Sequence, residues 1–178
     1  VINPCDYNQT KAATFAITDH FGPVYLRFGR PKMPNFTKAD QKFEIGKAIV
    51  MEEGSDVSIF ATGHLVAKAL LASEILENKG IKAEIVNVHT IKPLDKNAVI
   101  KSVMKTKCAV TAEEHLKNGG LGDSISQLLT SELPTPIEMV AIDDQFGESG
   151  KPVELLKKYG LDTPDVVDAA LRVIARKH

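Results

Sequence analysis

The sequence has few cysteines, almost no net charge and no long run of apolar residues. Its 178 residues include 22 lysines and arginines against 23 aspartates and glutamates, which leaves a formal charge of −1. Such a balance offers no positive excess to attract nucleic acid or an anionic membrane surface. No apolar stretch approaches the roughly 20 residues that a membrane-spanning helix needs. We therefore expect a chain that binds neither nucleic acid nor membrane.

The two cysteines, Cys5 and Cys108, lie far apart in the sequence and cannot by themselves form a disulfide framework or a metal-binding knuckle. Their scarcity is typical of a protein from a reducing compartment, so we expect a cytoplasmic location. The chain begins Val1-Ile2-Asn3-Pro4, with neither an initiator methionine nor the charged start of a signal peptide. We expect from this start that the sequence is an internal part of a longer protein.

A polar segment divides the chain unequally. Residues 30–42 contain two prolines, four cationic residues and no sustained apolar period. Proline donates no main-chain hydrogen bond and favours extended geometry in the residue before it. We therefore interpret residues 31–42 as a linker between residues 1–30 and a larger domain over residues 43–178.

The segment before this linker has the pattern of one crossover unit. An extended Val1-Ile2 leads to Asp6, a helix N-cap, and the apolar spacing predicts a helix over Tyr7–His20. Gly22-Pro23 ends that helix, and Val24–Phe28 is a predicted strand. Since strand, helix and strand alone cannot cover both faces of a sheet, we expect residues 1–30 to be left over from a second α/β domain.

Beyond the linker, short apolar runs rich in β-branched residues alternate with helical patterns. We predict strands at 57–61, 83–88, 108–111 and 137–142, a further strand within 43–50, and helices at 66–76, 95–104, 121–129, 152–159 and 164–175. Strands that alternate with helices indicate a mainly parallel, twisted α/β sheet with helices on both faces.

A glycine-rich segment, Asn118–Ser124, follows a predicted strand and opens a predicted helix, where a phosphate could bind free main-chain N–H groups. It lacks the third glycine of the dinucleotide fingerprint, because Ile125 stands there, and no Gly-Lys-Ser/Thr follows. A tight loop that brings helix and strand together is the better interpretation.

Three histidines, His64, His89 and His115, each come just after a predicted strand, at the edge where open α/β sheets bind ligands. No two of them have metal-ligand spacing, and no serine or cysteine stands in a nucleophile elbow. Glu113 and Glu114 precede His115, and a carboxylate beside an imidazole can tune its pKa. The same spacing also fits an interface salt bridge, and a structural role is the main interpretation for each histidine.

Two arginines, Arg27 and Arg30, stand at the exit of the predicted strand Val24–Phe28, with Gly29 between them. A guanidinium presents a planar fork suited to phosphate, and a glycine lets the backbone approach a ligand closely. These residues favour an anion site, with surface charge on a linker as the alternative.

Six blocks of the sequence resemble transketolases, in family order over essentially the whole chain, and most closely the C-terminal part of shorter or split transketolases. The blocks are residues 3–6, 24–31, 61–63, 89–95, 111–122 (for Thr-Ala-Glu-Glu-His and Gly-Gly-Leu-Gly) and 146–152. Similar blocks occur in deoxyxylulose-phosphate synthase and in the β subunits of 2-oxoacid dehydrogenases. Arg27–Pro31 and Thr90–Asp95 resemble transketolase more than either of these.

The resemblance implies an organisation and an activity. Residues 1–30 would end the pyrimidine-binding domain, and residues 43–178 would form the C-terminal domain. The intact enzyme would be a homodimer of the pentose phosphate pathway that uses thiamine diphosphate and Mg²⁺ to move a two-carbon ketol unit between sugar phosphates. The family's cofactor-binding segments have no match in this chain. We therefore expect that it binds no cofactor or metal by itself, carries no catalytic residue and is inactive without the missing N-terminal part.

One site residue carries over from the resemblance. Arg30 matches the family arginine that helps to hold the sugar phosphate at the mouth of the active-site channel, whereas no role follows for Arg27. Many relatives have Asp-Arg-Phe where this chain has Asp144-Gln145-Phe146. Gln145 puts in doubt any contact that the arginine makes in those relatives, but it does not put the fold in doubt.

Two alternatives stay open at the level of sequence. The chain could belong to deoxyxylulose-phosphate synthase or to a 2-oxoacid dehydrogenase β subunit. It could also be a non-catalytic module that supplies dimer interface and support, with Arg30 as an ordinary linker cation.

Overall fold

A five-stranded sheet forms the centre of the protein. The computed structural model describes residues 1–30 and 32–177, so Pro31, the first residue of the predicted linker, and His178 lie outside the described residues. The strands are β1 (Ile49–Glu52), β2 (Val57–Ala61), β3 (Ala83–Asn87), β4 (Ala109–Leu116) and β5 (Ile137–Ile142). Their order is β1-β3-β2-β4-β5; β1 is antiparallel to β3, and the other neighbours are parallel. The predicted α/β fold with a mainly parallel sheet is confirmed.

Helices cover both faces of this sheet. The helices of the described residues are α1 (Tyr7–Thr18), α2 (Leu65–Glu77), α3 (Lys96–Thr106), α4 (Leu121–Glu132), α5 (Pro152–Lys158) and α6 (Thr163–Ile174). One face is packed by α2 and α6, and the other by α3 and α4. All residues of β2 and β3 are buried as a result, including the polar residues Ser58, Glu84 and Asn87. None of these helices combines the length and apolarity needed to cross a membrane.

Two predicted strands differ from the structure. Val24–Phe28 forms no strand, because its only ladder contact among the described residues is an isolated bridge between Leu26 and Ile2, and a strand needs a partner along its length. The strand expected within 43–50 is instead Ile49–Glu52. The chain before it turns at Gly46, which has a φ of +86° and thus interrupts any extended run.

The other boundaries are confirmed to within a few residues, with one exception. The strand expected at 108–111 extends to Leu116 as β4. Glu113, Glu114 and His115 therefore lie within the strand rather than after it. The Glu113 carboxylate contacts the start of α4, and that of Glu114 contacts His64 just before α2, so the two side chains lie on opposite sides of the sheet.

The N-terminal residues attach to the carboxyl edge of the sheet. Asn3 donates its main-chain N–H to His89 beyond β3, and its carbonyl accepts from Gly63 beyond β2. Asp6 is the N-cap of α1, as predicted, and its carboxylate accepts from Gln9. The same carboxylate accepts from the main chain of residues 36 and 37, so it ties α1 to the segment that leads to β1.

Candidate functional site

The candidate site lies where β2 and β4 end beside each other. His64 follows β2 and precedes α2, and Glu114 lies in the carboxyl-terminal half of β4. The loop of residues 27–30 lies against both of them. A cavity of about 100 Å³ is lined there by Asn3, Arg27, Phe28, Gly29, His64 and Glu114. The carboxyl edge of adjacent parallel strands is the usual ligand-binding edge of an open α/β sheet.

A hydrogen bond between two side chains connects the two strand ends. The Nδ1 atom of His64 lies 3.1 Å from Oε2 of Glu114, and the His64 side chain is only 11% exposed. The hydrogen bond from this imidazole lowers the pKa of the Glu114 carboxyl below its ordinary value, against the opposing effect of burial. His64 therefore presents its Nδ1 to the carboxylate and its Nε2 to the surrounding loop.

Arg27 and Arg30 have different surroundings. The Nη2 atom of Arg27 donates to the main-chain carbonyl of Glu114 at 2.7 Å, so this guanidinium is engaged within the protein. Arg30 is exposed, and no ion pair joins it to any residue of the described ranges. Of the two arginines that the sequence singles out, Arg30 is the one with a guanidinium available to a ligand.

Arg30 lines a second and larger cavity. Its volume is about 420 Å³, and its polar lining includes Arg30, Lys32, His64, Thr10 and Asp6. The Asp6 carboxylate is committed to the N-cap of α1 and to main-chain N–H groups, and the residue is 5% exposed. The cationic side of this cavity is suited to a tetrahedral anion on a small molecule.

The glycine-rich loop does not offer an anion site. Glu113 is 1% exposed, and its two carboxylate oxygens accept from the main-chain N–H groups of Leu121 and Gly122 at 2.7 Å each. These are N–H groups at the start of α4 that a phosphate would need. Burial raises the pKa of the Glu113 carboxyl, against the opposing effect of these hydrogen bonds. The structure thus agrees with the tight-loop interpretation.

The other two histidines expected at the sheet edge, His89 and His115, line neither of these two cavities. His89 is fully buried; its ring stacks on Phe43 with centroids 4.1 Å apart, and its Nδ1 pairs with Thr90 Oγ1 at 3.0 Å. Burial lowers the pKa of His89 to about 4, so this imidazole is neutral at pH 7. His115 pairs with the main-chain carbonyl of Leu116 rather than with Glu114. Among the histidines expected at the sheet edge, His64 is the one that joins the site.

Neither cysteine has the character of a nucleophile. Cys5 is 1% exposed, and burial raises its pKa to about 12, so the thiol stays protonated. Asn87 donates to the Cys5 sulfur and to the side-chain oxygen of Gln9. This buried polar cluster joins α1 to β3. The spacing of apolar residues, which predicted α1, does not predict this cluster.

The residues of the described ranges include no group of three or more His, Cys, Asp and Glu side chains that could hold a metal ion. The donor set therefore does not fit a magnesium–diphosphate site built from this chain's residues.

Comparison with known proteins places this fold and sequence in a family. The family model "Transketolase, C-terminal domain" matches residues 46–166. A 6-deoxy-6-sulfo-D-fructose transketolase subunit of Clostridium sp. (strain MSTE9) is 44% identical over 178 residues, which are 100% of this chain and 55% of that protein. A 1-deoxy-D-xylulose-5-phosphate synthase of Pelotomaculum thermopropionicum is 33% identical over 100% of this chain and 29% of its own length.

A solved structure agrees with these relatives. The protein described as "Split gene transketolase, inactive beta4 tetramer" is 41% identical to this chain, with a TM-score of 0.97. The match covers 99% of this chain and 58% of that chain. This chain thus spans 55% and 58% of the two transketolase relatives and 29% of the synthase. The chain belongs to the transketolase family and contains its C-terminal domain.

Proposed function

We propose that the chain is the C-terminal part of a thiamine-diphosphate-dependent transketolase and that Arg30 binds the anionic end of its sugar substrate. The observation that carries this proposal is the position of Arg30, exposed beside a cavity at the carboxyl edge of a sheet that belongs to the transketolase family. The intact enzyme transfers a two-carbon ketol unit from a ketose donor to an aldose acceptor. Thiamine diphosphate, with Mg²⁺, supplies the covalent chemistry when bound.

In that reaction this chain binds and orients the sugar substrate. The planar guanidinium of Arg30 donates two parallel hydrogen bonds to a tetrahedral anion, while Lys32 adds a second positive charge at the same cavity. Both a phosphate and a sulfonate present such oxygens. The names of the relatives include a sulfo-sugar and a sugar phosphate, which supports either anion as the group that Arg30 holds.

The chain works with a further polypeptide segment. Residues 1–30 are the end of a pyrimidine-binding domain, 31–42 a linker and 43–178 the C-terminal domain. Exposed aromatic side chains support this division, since five of them fall within residues 1–30: Tyr7, Phe15, Phe21, Tyr25 and Phe28, from 61% exposed for Phe28 to 102% for Phe21. An exposed aromatic surface of this kind marks an interaction site. The rest of the pyrimidine-binding domain covers it, and two such units form the assembled homodimer.

A second candidate is a 1-deoxy-D-xylulose-5-phosphate synthase, which the relative of 33% identity favours. The cavity at Arg30 would then hold the phosphate of that enzyme's substrate or product. Formation of 1-deoxy-D-xylulose 5-phosphate, in place of ketol transfer between two sugars, identifies this case. A purely structural module would show neither activity in any assembly.

Replacement of Arg30 tests the proposed site in the assembled enzyme. We expect Arg30→Ala to raise KM for a ketose that carries a phosphate or sulfonate by about tenfold or more, because a hydrogen bond to a charged group is lost. KM for the corresponding neutral ketose should not change. Arg172→Ala is the matched control, since Arg172 is a half-exposed arginine on α6 that pairs with Glu138. Equal effects of Arg30→Ala on both ketoses would contradict the proposal.

A further inference from the structure

Glu114 connects the sheet to the loop that carries Arg30. The main-chain carbonyl of Glu114 accepts from Arg27 at the start of this loop. Its carboxylate lies 3.1 Å from His64 Nδ1. His64 in turn packs directly against Gly29, so closely that a Cβ atom added to Gly29 would lie 2.6 Å from His64 Nε2. Glu114 therefore contacts the loop at Arg27 directly and at Gly29 through His64.

The loop is also attached to the N-terminal segment. Arg27 donates its main-chain N–H to Ile2, next to the isolated bridge between Ile2 and Leu26. Gly29 is adjacent to Arg30, so the imidazole of His64 supports the main chain next to the guanidinium-bearing residue. The absence of a side chain at Gly29 is what allows this close packing.

We propose that Glu114 and His64 are positioning residues for Arg30: the hydrogen-bonded pair at the ends of β2 and β4 fixes the loop so that the Arg30 guanidinium meets the substrate's anion in a productive orientation. This inference rests on the proposed function of Arg30. It extends that function by naming the residues outside the loop on which the affinity for a phosphate or sulfonate depends. Neither residue needs to touch the anion itself.

The two arginines differ in how many donors are free. Nη2 of Arg27 is bound to the Glu114 main-chain carbonyl, so part of that guanidinium is engaged within the protein. Arg30 keeps its full fork of donors for the anion. A small displacement of this guanidinium weakens its contact with the anion, because a hydrogen bond depends steeply on distance and angle.

A double-mutant cycle in the assembled enzyme tests this inference. We expect Glu114→Ala to raise KM for an anionic ketose by about tenfold, with kcat and the KM of the neutral ketose unchanged, because positioning rather than chemistry is lost. Glu114→Gln should restore most of the affinity, since its amide oxygen still accepts from His64. In an Arg30→Ala background, Glu114→Ala should have no further effect, because it acts through Arg30. Glu77→Ala, an exposed carboxylate at the other end of α2, is the matched control.

The imidazole of His64 gives a readout that is independent of activity. In the wild-type chain, ¹⁵N NMR should show the His64 proton on Nδ1, held there by Glu114, and in Glu114→Ala this preference should be lost. If Arg30→Ala is selective for anionic ketoses but Glu114→Ala has the same effect in both backgrounds, or none, the positioning role is overturned and the role of Arg30 stands. If Arg30→Ala itself is not selective, the proposed site and this inference both fall.

Discussion

Gly120 and Glu113 are in such close contact that a Cβ atom added to Gly120 would lie 2.7 Å from the carboxylate carbon of Glu113. This contact lets a buried carboxylate reach the first main-chain N–H groups of α4, where it replaces the side-chain cap that Gly120 cannot provide. A strand and the helix that follows it are thereby joined through one carboxylate. The glycine-rich loop serves this packing.

Replacement of Gly120 should therefore destabilise the fold. We expect Gly120→Ala to lower the free energy of unfolding by about 1–3 kcal/mol, because the added methyl group overpacks a site that contains a buried carboxylate. Urea denaturation followed by circular dichroism measures this change. Gly147→Ala is the control, since an added Cβ there meets nothing within 4 Å. A Gly120→Ala chain as stable as Gly147→Ala would show that the contact is not rigid.

His89 should make stability depend on pH. Its pKa is lowered from 6.5 to about 4 by burial in the folded chain, whereas in the unfolded chain it returns towards 6.5. Between these values the unfolded state takes up a proton that the folded state does not, so stability is complete above about pH 6.5 and falls as the pH drops to about 4, by up to about 3 kcal/mol.

The His89→Asn variant isolates this effect from other titrating groups, because its amide can keep the contact with Thr90 and carries no titratable proton in this range. We expect the loss of unfolding free energy between pH 7 and pH 4 to be smaller in His89→Asn than in the wild type. Identical pH profiles of the two chains would mean that His89 is accessible to protons in the folded state.

The aromatic surface within residues 1–30 should bind the partner segment. We expect Phe15→Asp combined with Phe21→Asp to weaken association with the polypeptide that carries the cofactor-binding segments by at least about tenfold, because buried aromatic residues dominate such interfaces. Isothermal titration calorimetry measures the Kd. Met104→Asp, a change of an exposed apolar residue on α3, is the control. Equal Kd values for the two variants would place the interface elsewhere.

The sequence was sufficient to predict the sheet because its signal is local. Short and mostly apolar segments such as Val57–Ala61 form strands, and they alternate along the chain with segments that have a helical pattern. Val24–Phe28 has the same composition, yet pairing is not local: the described residues give it only Ile2 as a partner. The extent of β4 was also missed, because Glu113 and Glu114 are acidic and charged residues are uncommon in buried strands.

The candidate site was predicted only in part for a related reason. Arg30 and His64 each follow from a position at the end of an element and from the chemistry of the side chain. The pairing of His64 with Glu114 depends on β2 and β4 being neighbours. The strand order reverses there, because β3 lies on one side of β2 and β4 lies on the other. The spacing of apolar residues along the sequence carries no information about the strand order. The rule that ligands bind where the order reverses could have indicated that His64 and Glu114 meet.

The most direct test of the central claim is the transfer of a two-carbon ketol unit between a ketose and an aldose, measured with thiamine diphosphate and Mg²⁺ present. We expect no transfer by the 178-residue chain alone and measurable transfer once the polypeptide with the cofactor-binding segments is added. Transfer by the chain alone, or none by the assembled pair, would contradict the account.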